Sequence, residues 1–184
     1  MLPFSQVLER IVCRILPDAK VPEKAQELDE RLLTSPALAM GRCSQVLDFM
    51  ARTAVAALKD SLENVIHYDE ERAENIRRAE GVTDHLEDVI GTYLLKLTPR
   101  RLSEEESARA TEYMKLIGDY ERIADHAVSI LESSEEMKSK NVVFSEDAAH
   151  EYSVIREAVT EILDLSYQAF SKDDFHSARM TEPL

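Results

Sequence analysis

The sequence predicts an all-α chain, an antiparallel bundle of long amphipathic helices, on three observations. Only 4 glycines and no tryptophan occur in 184 residues, with 44% hydrophobic and 32% charged, the balance of a globular helical protein. Apolar residues recur at helical spacing over four long stretches, whereas the strict alternation that marks strands is nearly absent. Serine or aspartate followed by proline or glutamate opens those stretches, as helix N-termini require. A chain of this length buries one good core.

Residues 1–16 set Leu2, Phe4, Val7, Leu8, Ile11, Val12, Ile15 and Leu16 at helical spacing, with Gln6, Glu9, Arg10 and Arg14 between them. This is a short amphipathic helix stopped by Pro17, suited either to packing on the chain's own core or to lying on a membrane surface. Residues 17–34, with Pro17 and Pro22, read as a linker that its Leu28–Leu33 segment pins to the body. Ser35-Pro36 then supplies an N-cap and a proline at the first helical position. Leu47, Met50, Ala54, Leu58, Leu62 and Val65 carry this first long helix to about Ile66.

No glycine or proline marks the next break, so Asp69 is taken as the cap of the second helix. Its stripe is Ile76, Ala79, Leu86, Ile90, Tyr93, Leu94 and Leu97, and Thr98-Pro99 ends it. Ser103-Glu104-Glu105-Glu106 is a capping box that opens the third helix, with acidic residues at its positive end. That helix reaches about Met137, its stripe being Tyr113, Ile117, Tyr120, Ala124, Ala127, Val128 and Leu131. The polar segment Glu132–Val143 reads as a turn. Ser145 caps a fourth helix, with Tyr152, Ile155, Val159, Leu163, Tyr167 and Phe170 on its stripe, ending near Lys172; the remaining tail starts one more helix.

Sliding the sequence by 105 residues lays the apolar set of the first helix over that of the fourth, and Asp69 over Asp174. The fourth helix thus mimics the first, and the tail mimics the start of the second. The expected division is an amphipathic helix and linker over 1–34, a three-helix unit over 35–140, and over 141–184 the first helix and start of a second, incomplete unit.

Chemistry concentrates on the second and third helices. Glu80, Asp84 and His85 stand in the order E-x-x-x-D-H, and Glu121, Asp125 and His126 repeat it. Carboxylates four apart share a helix face. On the third helix Lys115, Asp119, Arg122 and His126 fall on the watered side, whereas Glu121 projects within the edge of the apolar stripe and Asp125 at its border. There a carboxylate needs a cation, a metal or donors, unless it reaches solvent or an arginine at the seam. With the two helices antiparallel across a short loop, Glu80, Asp84, Glu121 and Asp125 meet at one seam, and Asp119 is an outer contributor. Such a set suits Mg²⁺, Mn²⁺, Ca²⁺ or iron rather than zinc or copper. The histidines point about 100° away from the aspartates they follow and read as surface residues.

Other chemistries are disfavoured. The net charge of −14 and pI near 4.8 argue against nucleic acid, because phosphate binding needs clustered Lys and Arg; the charged partners that suit this chain are cations. Cys13 and Cys43 have neither zinc nor disulfide spacing and read as inert thiols of a reducing compartment. No signal peptide and no apolar run of roughly 18 residues is found, so the chain as given reads as soluble. None of the 5 histidines has a glutamate three residues before it, against the di-iron bundle pattern. With no Gly-rich phosphate loop, G-x-S-x-G or H-E-x-x-H, an enzyme is not expected.

The stretch GDYERIADHAVSI, with Glu121 and Asp125 in E-x-x-x-D, resembles the signature helix of PhoU domains, the phosphate-regulatory helical bundles of bacteria, and Glu80-Gly81-Val82-Thr83-Asp84 resembles the matching motif on the preceding helix. Two tandem three-helix units with one motif pair each are what that family implies, in phase with the 105-residue repeat. LDERLLTSPALAM, residues 28–40, is similar to the segment joining the membrane portion to the PhoU-like tail in bacterial sodium/phosphate cotransporter family proteins. The resemblance implies a cytosolic regulatory domain at the inner membrane face, controlling phosphate uptake, with metal-binding carboxylates as in some PhoU members. Its partners would be the transporter portion of the same protein and phosphate-pathway proteins. The alternative is a stand-alone PhoU-type adaptor acting by protein contact. Apolar edges left uncovered also make a homo-oligomer an expectation.

Overall fold

The structure, a computed structural model, describes residues 28–100, 102–172 and 174–181. A 3-10 helix, Glu30–Thr34, leads into α1 (Pro36–Ile66), α2 (Glu70–Leu97), α3 (Glu104–Ser139), α4 (Glu146–Lys172) and the short α5 (Phe175–Met180). Among the described residues there is no strand. No described helix is long and apolar enough to cross a membrane. The amphipathic helix expected over 1–16 and the linker residues 17–27 lie outside the described residues.

Capping sets the boundaries. Proline at the first position fixes φ for the start of α1 without losing a useful N–H. The Asp69 carboxylate accepts the Arg72 N–H (2.7 Å) and so opens α2. Ser103 and Glu106 form the reciprocal capping box of α3, and Ser145 Oγ accepts the Ala148 N–H (3.2 Å) at the start of α4. The helix end expected near Met137 lies at Ser139, so the part of Glu132–Val143 up to Ser139, which also read as a turn, is the last stretch of α3. Its polar side chains have specific partners on the bundle, which is why helix wins there. Buried Ser134 donates to the Asn64 carbonyl (2.8 Å), Glu135 receives Arg77 through two bonds (2.9 and 2.6 Å), and Lys138 lies 3.8 Å over the Tyr68 ring. The turn proper is closed by Asn141 at φ 53°, with the Val142 N–H returning to the Met137 carbonyl, the left-handed closure that Asn adopts more readily than most residues.

The helices α1, α2 and α3 pack against one another around a continuous core. One end holds Met40, Leu47, Met50, Ile90, Leu94, Leu97 and Ile117; the other holds Leu58, Ile76, Ala127 and Leu131. Asn64, fully buried, ties all three: its Oδ1 accepts the Asp69 N–H (2.8 Å) and Arg72 Nη1 (3.3 Å), and its carbonyl accepts Ser134 Oγ (2.8 Å). Its Nδ2 finds no acceptor among the described residues. At the opposite end the residues before α1 are strapped to α2. Tyr93 Oη donates to the Asp29 carbonyl (3.0 Å), Lys96 pairs with Glu30 (2.6 Å), and Leu33 is buried, as the linker reading expected.

Helix α4 lies antiparallel along α1. Tyr167 Oη donates to Asp48 (2.9 Å), Tyr152 Oη to the Leu62 carbonyl (2.7 Å), Lys59 pairs with Asp164 (2.5 Å) and Arg156 with Glu63. The Phe170 ring meets Tyr120 of α3 edge-on (5.8 Å). Of its side chains only Leu163 is fully buried. Ile155, expected on the packed stripe, is 59% exposed, whereas Met50, 105 positions earlier, is 0% exposed. The difference is one of cover: α2 and α3 close over that side of α1, and no described element closes over that side of α4. The repeated aspartates do play one role, since Asp174 caps α5 by accepting the His176 N–H (2.9 Å) as Asp69 caps α2.

Candidate functional site

Antiparallel packing of α2 on α3 sets Glu80 toward Asp125, Asp84 toward Glu121, and a further acid, Glu87, toward Gly118. The apolar sides of both helices are spent in the core, Val82, Leu86 and Ile90 on α2 and Ile117, Ala124 and Ala127 on α3. Positions one turn apart at the rim of each stripe therefore face each other across the seam. Oxygens of Asp84, Glu87 and Glu121 come within 4.8 Å of one another, with Asp84 exposed and the other two half-buried.

The charges are felt. Burial pushes the Glu80 carboxyl above its usual range, and the charges of Asp125 and Asp84 add to that. Glu121 is pushed up first by burial, next by the Asp125 charge and a hydrogen bond shared with it, and then by Glu87 and Asp84. No lysine or arginine among the described residues pairs with any of these five acids. The seam is thus an acidic groove whose repulsion no ion pair among the described residues offsets.

Glu87 was not singled out by the E-x-x-x-D motif. The signal was there: it follows Asp84 by three residues and Glu80 by seven, which keeps it on the same face. It lies opposite Gly118, where a Cβ would sit in ordinary contact, 3.5 Å from Glu87 Oε1. Asp119 does not join the group. It lines a groove between α3 and α4 of about 770 Å³, with Tyr113, Leu116, Tyr120 and Phe170. His85 and His126 are exposed, as the 100° offset from their aspartates expected. Cys43 is wholly buried and its thiol is pushed up to about 12, so it is an inert core residue.

The PhoU domain family model matches residues 47–134, which take in most of α1, all of α2 and most of α3, with all five acids. No curated protein and no solved structure matches the chain.

Proposed function

Taking as premise that the chain carries a PhoU domain over residues 47–134, whose place is in the regulation of phosphate transport, we propose that it is the cytosolic regulatory domain of a sodium-dependent phosphate transporter. It works at the inner membrane face without catalysis, and the acidic seam is its cation-responsive element. The observation that supports the cation reading is the convergence of five carboxylates with no basic partner, three of them within 4.8 Å.

The donor set fits the ion class. Two oxygens on one ion stand no farther apart than twice the metal–oxygen distance, about 4–5 Å for Mg²⁺ through Ca²⁺, and the three carboxylates offer oxygens within 4.8 Å of one another. All-oxygen ligation favours Mg²⁺, Ca²⁺, Mn²⁺ or iron, and the spacing alone does not choose among them. Asp84, Glu87 and Glu121 would hold the ion, with Glu80 and Asp125 beside them. A bound cation would supply the positive charge that the seam lacks. Once neutralised, the facing carboxylates no longer hold α2 and α3 apart, and the packing of α2 changes under the strap that Tyr93 and Lys96 hold. Residues 28–40 are then the route by which the bundle reports to the membrane portion.

Metal analysis of the purified protein, with thermal melts in Mg²⁺, Ca²⁺, Mn²⁺ and Fe²⁺, tests the cation reading. A rise in Tm that vanishes in Glu80→Gln/Glu121→Gln is expected; no bound ion and no shift would overturn it. A second reading, a stand-alone PhoU-type adaptor, is favoured by the uncovered apolar side of α4, which suits protein contact. The full-length gene product separates the two: apolar spans ahead of residue 1 support the transporter, and a start at Met1 supports the adaptor.

A further inference from the structure

The three-helix hub at Asn64 has one donor left over. Asn64 Oδ1 accepts from both the Asp69 N–H (2.8 Å) and Arg72 Nη1 (3.3 Å). Those two bonds fix which way round the amide stands, because turned over it would set its NH2 group against two donors. Nδ2 is therefore committed as a donor. It sits on a side chain that is 0% exposed and finds no acceptor among the described residues. Buried N–H groups meet a protein acceptor or an ordered water, since an unmet one costs the desolvation of that group.

Two neighbours are incomplete in the same place. Asp60 stands one helical turn before Asn64 on α1 and so shares its side of the helix. It is half-buried, and no hydrogen bond or ion pair among the described residues reaches it. The Arg72 guanidinium donates through Nη1 alone, to Asn64 Oδ1 and to the His67 carbonyl (2.9 Å). Burial pushes the Asp60 carboxyl above its usual range, and the Arg72 charge opposes that without the two closing into an ion pair. An amide, a guanidinium and a carboxylate thus border one another with hydrogen-bonding capacity unspent on all three.

Their chemistry selects the occupant. An anion would suit the two donors and stand against the Asp60 carboxylate, whereas a metal ion would suit Asp60, stand against Arg72 and offer nothing to Nδ2. A water molecule accepts from the amide and the guanidinium and donates to the carboxylate at once. We propose that the hub holds one ordered water, bonded to Asn64 Nδ2, Arg72 and Asp60. It adds a second link between the last turns of α1 and the first turn of α2, beside the direct bond from Arg72 to Asn64.

A crystal structure of the full chain tests this. A density peak is expected about 2.7–3.2 Å from Asn64 Nδ2 and from an Asp60 oxygen, and in solution a nuclear Overhauser cross-peak between the Asn64 side-chain amide protons and a long-lived water. Asp60→Asn, which keeps an acceptor, should retain the peak. Asp60→Leu should lose it and lower Tm by about 2–4 °C, the loss of roughly one hydrogen bond in a chain of this size. An Asp60 carboxylate bonded directly to Nδ2, an Nδ2 with neither water nor acceptor, or a peak with the coordination of an ion would each overturn the proposal. The wild-type density and cross-peak decide it even where Asp60→Leu fails to fold, which circular dichroism would show.

Discussion

The seam between α1 and α4 and the seam between α2 and α3 both gather carboxylates, and they treat them in opposite ways. Across α1–α4 three acids meet a cation or a hydroxyl from the other helix: Asp164 takes Lys59, Glu63 takes Arg156, and Asp48 takes the Tyr167 hydroxyl as well as Arg52 of its own helix. The far end of the α2–α3 seam follows the same rule, with Arg77 on Glu135. In the middle, from Glu80 to Glu87 and from Glu121 to Asp125, no lysine or arginine among the described residues pairs with the acids. Beside acids that are paired in this way, a run of facing carboxylates is a candidate functional site.

The comparison can be broken first with metal. If the acidic seam binds a divalent cation, an ion at a hundred times its Kd adds about 2.7 kcal/mol, a rise in Tm of several degrees by calorimetry, and the α1–α4 variants Lys59→Met and Arg156→Met should keep that rise in full. The next largest effect is a difference of sign. Without metal near neutral pH, Glu121→Gln should stabilise the chain by about 1 kcal/mol, the scale of one like-charge contact in a watered setting, whereas Asp164→Asn should destabilise it by about 0.5–1 kcal/mol. Urea melts decide both, and a loss of stability in Glu121→Gln would mean that the seam is paired after all.

The pH dependence sharpens the same contrast. Glu80 and Glu121 are held above the usual carboxylate range. Over the window from the ordinary glutamate value of 4.5 upward to the raised ones, the folded state therefore binds more protons than the unfolded state. By linkage their contribution is greatest below that window and falls as pH rises through it. Denaturant melts of Glu80→Gln/Glu121→Gln should lose this decline. The smallest effect is that of salt: raising NaCl should help the α2–α3 seam and weaken α1–α4 by tenths of a kcal/mol each. That is visible as a smaller Glu121→Gln gain at high ionic strength.

Much of this was legible in the sequence, where local chemistry speaks for itself. Asp69, the Ser103–Glu106 box and Ser145 announce the starts of α2 to α4, because each satisfies N–H groups that the helix cannot; at α1 the Ser35 side chain makes no capping bond, and Pro36 marks the start by its fixed φ. The meeting of Asp84 with Glu121 followed from spacing and a short antiparallel loop. Long-range partners decided the rest. Nothing local says that Ser134 will find the Asn64 carbonyl, so Glu132–Ser139 read as a turn. Glu87 shares the face of Asp84 and Glu80 by spacing, but which of the acids on that face meet Glu121 is decided by the packing of α2 on α3. Ile155 has the same helical spacing as buried Met50, and its exposure depends on which helices arrive to cover it.

Asn64 has a mechanical consequence. Because one side chain and its carbonyl fasten α1, α2 and α3 together at that end, the helices can separate or close only as spokes from a fixed hub. The acids sit partway out and the Tyr93–Lys96 strap farther still. By residue count at 1.5 Å each, the strap is about 40 Å from Asp69 and Asp84 about 22 Å, so a small closure at the carboxylates arrives at residues 28–34 roughly doubled in amplitude.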